Sequence, residues 1–139
     1  MALSNPSPPG NRVRLILRWL AAIFFVGAGA NHFRHPDFYR QIVPPLLPSP
    51  ALLVTISGMC EIAGGLGLLF PSLRRTAGWG LVALLIAVFP ANLYMAFYPS
   101  QIVGLHISRW LLWVRLPLQA VMVGWVWLVA VREPPQRTA

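Results

Sequence analysis

Hydrophobic positions in this chain come in long unbroken runs, without the alternation of a strand or the single stripe of a surface helix. Four such runs cover about 13–31, 51–70, 77–98 and 108–131, and the segments between them collect the prolines and many of the arginines. Each run is close to the roughly 20 residues that carry a helix across a bilayer. The second is bounded by LPSP before it and PSLRR after it, both proline-marked stops. Short connections such as PSLRR make neighbouring helices antiparallel. The pattern therefore predicts an all-α membrane protein, a four-transmembrane-helix bundle of up-down-up-down topology. It occupies 13–131 as a single domain between an N-terminal tail (1–12) and a C-terminal tail (132–139).

The first connection, NHFRHPDFYRQIVPPLLPSP, mixes aromatic and charged residues with five prolines. It predicts a short interfacial helix over 36–42 with proline in its first turn, then a stiffened return, the whole acting as a lid or as a plain connector. Small residues should let the spans approach closely, with Ala83, Ala87 and Ala91 on the third span and Gly58, Gly64 and Gly65 around Glu61 on the second.

Composition agrees. The chain has 139 residues, 57% of them hydrophobic and only 10% charged, against about a quarter charged in soluble domains. So short a chain cannot hide that much apolar surface in one core. A net charge of +8 would point to nucleic acid in a soluble protein. Here every basic side chain is arginine, and most lie at the ends of apolar runs, which fits lipid headgroups and topology control and sets nucleic acid aside. Arg12, Arg14, Arg74, Arg75, Arg132 and Arg137 fall on one side, with Arg18 just inside the first run; Arg34, Arg40 and Arg109 fall on the other. The bias places both termini in the cytoplasm. Trp19 and Trp79 then mark the inner interface, and Tyr98, Trp110 and Trp113 the outer one. Arg12, Arg14 and Arg18 ahead of an apolar run imitate a signal peptide, but GAGANHF is a weak cleavage site and three more spans follow, so the run reads as a retained helix. The single cysteine, Cys60, permits neither an internal disulfide nor a dithiol pair, and reads as a small buried hydrophobe.

The chemistry must come from polar residues inside the runs, which by default face the bundle interior and have partners. A rise of about 1.5 Å per residue puts Glu61 roughly 15 Å from the outer end of its span, Arg115 roughly 10 Å in with Gln119 one turn deeper, and Asn92 roughly 9 Å below the outer surface. Asn31 and His32 arrive at the outer end of the first span, and Pro90 should kink the third and free a carbonyl beside Asn92. The expected site is one outer-half cluster of His32, Glu61, Asn92, Arg115 and Gln119, supported by Asn31, Ser57, Pro90 and Tyr94. At its centre stands a Glu61–Arg115 pair, direct or bridged by an amide. The inner half offers nothing comparable. The cluster reads either as a small-molecule site or as a polar lock on helix register. No metal is expected. His32, His35 and His106 lie in or beside loops, where paired haem ligands do not sit, and those histidines with Asp37 lack the spacing of a zinc site.

The stretches GANHFRHPDFYRQIVPPLLP, SGMCEIAGGLGLLFPSLRRTAGWGL, VFPANLYMA and RLPLQ together resemble the DoxX-like family of small bacterial membrane proteins. The resemblance covers nearly the whole chain apart from the tails. It implies a four-helix bundle in the bacterial inner (plasma) membrane, with His32, Glu61, Asn92, Arg115 and Gln119 at the family's polar positions. It also implies a role beside a membrane or periplasmic oxidoreductase, as in the namesake subunits of thiosulfate:quinone oxidoreductase. The thiol chemistry of a related branch needs a cysteine pair, which Cys60 alone does not supply.

The leading expectation is thus a redox-associated membrane protein that binds a quinone or similar small lipophilic molecule. Glu61 and Arg115 would polarise its oxygens, Asn92 and Gln119 orient it, and His32 exchange protons with the outer phase. No redox centre is encoded, so it would serve as a partner subunit. A membrane scaffold or assembly factor is the alternative, as is a small proton-coupled transporter with Glu61 as carrier, for which four spans are few unless the chain forms a homo-oligomer.

Overall fold

A computed structural model describes residues 9–104 and 107–132. Most of both predicted tails, His106 and Arg137 lie outside the described residues. The elements are α1 (Pro9–Arg34), α2 (Pro36–Gln41), α3 (Pro50–Gly67), α4 (Arg74–Phe97), a short 3-10 turn (Pro99–Gln101), α5 (Arg109–Val126) and a π-helical continuation of α5 (Trp127–Val131). Four stretches are long and apolar enough to cross a membrane: Asn11–Arg34, Pro50–Gly67, Arg74–Phe97 and Arg109–Val131. Between them they expose Ile23, Ile86 and Val121 to more than 60%, a surface that water would not tolerate and hydrocarbon accepts. The chain is a multi-pass all-α membrane protein.

Local sequence explains the boundaries. Proline opens both α2 and α3, where its missing N–H is no loss, and Asp37 places a negative charge in the first turn of α2. The return from α2 to α3 passes through Ser49 in the left-handed region, φ 50°, directly before the Pro50 that opens α3. The expected short helix in the first connection is present, one residue shorter than predicted, and α1 starts at Pro9 instead of Val13.

Packing runs from α1 to α3, α3 to α4 and α4 to α5, and α1 reaches the π segment to close the ring. One apolar core joins Ala21, Phe25, Leu81, Leu85, Val126 and Val129. A second, at the α2 end, joins Ile42, Met95, Ile102 and Leu112, with Phe38 and Tyr39 packed against it. The α2 end is further tied by Gln41 Oε1, which accepts the Val103 N–H at 2.8 Å.

Glycines set the α1–α3 distance. A Cβ on Gly29 would lie 2.5 Å from the Gly58 carbonyl oxygen, and one on Gly65 3.0 Å from that of Ala22. Gly64 serves α4 in the same way, against Leu81. The predicted role of Gly58, Gly64 and Gly65 is what the packing uses. The alanine stripe is different, because Ala83 and Ala87 are exposed and Ala91 half-buried. α4 turns its leucine and valine face, Leu81, Val82 and Leu85, into the core instead, since larger side chains fill the interior that small ones would leave empty. Cys60 is likewise exposed, one position round the helix from the buried Glu61.

Candidate functional site

The glycine seam decides what happens around Glu61. With α1 and α3 this close, the residues one turn from Gly29 and Gly58 face each other directly, and these are His32 and Glu61. Both are buried, at 8% and 9% exposure. His32 Nε2 stands 3.8 Å from Glu61 Oε2, which is beyond hydrogen-bond length. That same Oε2 is buried with no hydrogen-bond partner among the described residues. On the other edge of the imidazole, Nδ1 lies 3.2 Å from Ser57 Oγ, and the Ser57 hydroxyl donates to the Val54 carbonyl at 3.0 Å.

α2 covers this pair. The Tyr39 ring packs on the His32 imidazole with centroids 4.0 Å apart, and the Tyr39 hydroxyl accepts from Asn31 Nδ2 at 2.9 Å. Tyr39 was not among the residues expected at the site. Its place on a short amphipathic helix next to the end of α1 was the available signal.

Asn92 and Gln119 form a separate group, between α4 and α5. Asn92 Nδ2 donates to Gln119 Oε1 at 2.9 Å, and Gln119 Nε2 donates to the Leu85 carbonyl. Pro90, exposed on α4, leaves the helix continuous. The carbonyl that Gln119 caps belongs to Leu85, next to Ile86, whose usual donor the proline removes. Among the described residues no hydrogen bond or ion pair joins the two groups, so the expected single cluster is in fact two. Tyr94 belongs to neither: its hydroxyl donates to Gln101 Oε1 at 2.6 Å and its ring packs on Tyr98.

The Glu61–Arg115 pair does not form. Glu61 faces α1, whereas Arg115 is exposed on α5, and no ion pair links them among the described residues. A long arginine stem reaches the headgroup region from this depth, so Arg115 needs no internal acid.

The opposite half of the bundle is not empty of polar groups. Arg18, 7% exposed, donates Nε and Nη2 to the Val129 carbonyl at 3.3 and 3.2 Å. Arg74, equally buried, donates Nε to the Leu68 carbonyl at 3.2 Å. Both carbonyls lie where helical bonding is interrupted, one in the π segment and one at the C-terminus of α3. These arginines cap backbone instead of anchoring only in headgroups.

Among the described residues no three His, Cys, Asp or Glu side chains come together as a metal site would require. An open groove of about 190 Å³ lies between the α2-side ends of α4 and α5, lined by Phe97, Ser100, Arg109 and Trp113 among others, and includes no residue of either polar group.

A family model described as Domain of unknown function (DUF8561) matches residues 20–130. No curated protein and no solved structure matches the chain.

Proposed function

We propose that this chain, which belongs to the DUF8561 family, is a redox-associated membrane protein that binds a quinone or similar small lipophilic molecule beside Glu61 and His32. The observation that carries the reading is the buried Glu61 Oε2 without a hydrogen-bond partner among the described residues. A polar lock satisfies its members, because an unmet polar group in a low-dielectric interior costs about 1–3 kcal/mol. A site waiting for a ligand oxygen leaves one of them open. Glu61 and His32 are thus the groups that meet the ligand, and Tyr39, which covers them, forms its roof.

Arg115, Asn92 and Gln119 drop out of the ligand's contacts in this reading. The resemblance to DoxX-like proteins supports the redox association and the quinone-like ligand. The protein then acts as a partner subunit to a membrane or periplasmic oxidoreductase in a bacterial inner membrane. The arginine bias supports cytoplasmic termini, with α2 on the outer side.

Titrating the purified chain in nanodiscs with a decyl-tailed benzoquinone and its hydroquinone tests the reading. Saturable binding of either, weakened about tenfold or more by Glu61→Leu or His32→Leu and unchanged by Arg115→Leu, is the expected result. No binding of either, or binding indifferent to Glu61 and His32, would remove it. A structural scaffold is the second reading, and the closed Asn92–Gln119–Leu85 chain favours it for the α4–α5 half.

A further inference from the structure

The groove at the α2-side ends of α4 and α5 takes its position from two membrane spans. One span ends at Phe97 and another begins at Arg109, and both residues line the groove. That fixes its level as the end of the apolar runs, where hydrocarbon gives way to headgroups. Tyr98, Trp110 and Trp113, all exposed, lie next to those span ends or in the first turns of α5, as aromatic residues do at the headgroup boundary. The apolar part of the lining is the Phe97–Trp113 pair, whose rings meet edge to face with centroids 5.0 Å apart. The polar side chains are Ser100 and Arg109. Neither has a hydrogen-bond or ion-pair partner among the described residues, and no lining residue is acidic.

We propose that this groove docks the phosphodiester headgroup of an anionic phospholipid, held by Arg109 and Ser100 while the acyl chains pass over Phe97 and Trp113. Size argues for a lipid over a free ligand. A site that encloses a whole small molecule takes roughly 300–1,000 Å³, whereas this groove has about 190 Å³ and is open. Only part of an occupant enters it. The rest needs an apolar environment of its own, and the bilayer beside the exposed Phe97 and Trp113 supplies one. Charge argues for an anion. A guanidinium presents a fork of N–H donors that matches two phosphate oxygens, and Ser100 adds a hydroxyl donor. A zwitterionic lipid brings the same phosphate together with a cation, for which the groove has no carboxylate. The site is separate from Glu61 and His32, and the proposal does not depend on what those residues bind.

The test uses the full chain in detergent, equilibrated with phosphatidylglycerol and phosphatidylcholine of identical acyl chains, and native mass spectrometry to count the lipid retained. The unmodified chain should hold phosphatidylglycerol about tenfold or more tightly than phosphatidylcholine. Arg109→Gln should abolish that preference and Arg109→Lys should keep part of it. Arg115→Gln, which removes another exposed arginine from the same helix, should leave it unchanged, with thermal unfolding equal in all three variants. Glycerol 3-phosphate at millimolar concentration should not displace the lipid. No preference in the unmodified chain would overturn the proposal, as would a preference that survives Arg109→Gln. An equal loss in Arg109→Gln and Arg115→Gln would also overturn it, by reducing the contact to a general attraction between basic residues and anionic lipid. Displacement by glycerol 3-phosphate would do the same, since the occupant would then be a water-soluble phosphate. A dimer that forms without lipid and dissociates in Arg109→Gln would give the groove to a second copy of the chain and overturn it too.

Discussion

Across the α4–α5 seam, Gln119 receives an N–H from Asn92 and gives one to the Leu85 carbonyl. Across the α1–α3 seam, Glu61 and His32 face each other at 3.8 Å and the Glu61 oxygen has no hydrogen-bond partner among the described residues. The two seams bury polar side chains in the same half of one bundle. The difference is in the side chains. An amide donates and accepts, so two amides and a carbonyl form a chain that closes on itself; the Glu61 carboxyl and the His32 imidazole stay beyond hydrogen-bond length and do not. The first seam is a finished lock. The second is held together by glycine contact and leaves its polar groups to something else. Stability and ligand binding should therefore separate along the seams.

The largest effect should come from the glycines. On Gly29 a Cβ would meet the Gly58 carbonyl oxygen at 2.5 Å, Ile62 at 2.8 Å and Glu61 at 3.0 Å. Backbone cannot move aside as a flexible side chain can, so Gly29→Ala should cost about 3 kcal/mol in reversible unfolding in micelles. The matched controls are Gly80→Ala and Gly124→Ala, where a Cβ meets nothing within 4 Å. These should be neutral or gain about 0.5 kcal/mol from helix propensity. Equal losses at all three positions would mean that close approach is not what holds α1 to α3.

Next comes the lock. Gln119→Leu strands the Asn92 amide and should cost about 2 kcal/mol, without changing the affinity for a quinone or hydroquinone probe. Adding Asn92→Leu should recover part of the loss, since no stranded partner then remains. Parallel unfolding and binding measurements on the single and double variants check both halves of the claim. A loss of binding as large as that in Glu61→Leu would merge the two seams again.

Much of this organisation is legible in the sequence, for reasons that also say where reading stops. Apolar runs near the ~20-residue span length and proline-marked stops give the four spans and α2. The rise per residue gives the depth of His32, Glu61, Asn92 and Gln119, all of which lie in or near the interior. Depth is only one cylindrical coordinate. Which neighbour a residue meets depends on rotation about the helix axis, and that is set by the glycine contacts between α1 and α3, which turn Glu61 to His32 and away from α5. Arg18 and Arg74 escaped for another reason. Their partners, the carbonyls of Val129 and Leu68, are backbone groups exposed by a π turn and a helix end, and no side-chain pattern announces them. Cys60 and the alanine stripe show that small and apolar does not mean buried when the surroundings are hydrocarbon.

Glu61→Leu should behave in the opposite way to Gln119→Leu. Among the described residues no hydrogen bond of Oε2 is lost, and a buried polar carboxyl gives way to an apolar side chain, so unfolding free energy should stay within about 1 kcal/mol or rise. Binding of the hydroquinone probe should be lost. If instead the protein fails to fold while Glu61→Gln folds normally, the carboxyl position is a structural anchor, and the α1–α3 seam is a lock like its neighbour.

The smallest effect should be at Arg115, and it bears directly on how the seams are divided. As the partner of a buried Glu61, Arg115 would be worth several kcal/mol, since removing one member of a buried ion pair leaves the other uncompensated. Exposed on α5, with no ion pair to Glu61 among the described residues, it has no such role. Arg115→Leu should shift unfolding by no more than about 0.5 kcal/mol and leave probe binding as it was. The Glu61→Leu, Arg115→Leu double variant should equal the sum of its singles, because groups that do not touch do not couple. A coupling energy of about 1 kcal/mol or more in that cycle would restore a contact between α3 and α5. It would also draw the two polar groups back into one, for Gln119 lies one turn from Arg115 and binds Asn92. Additivity confines the open polar site to the glycine seam.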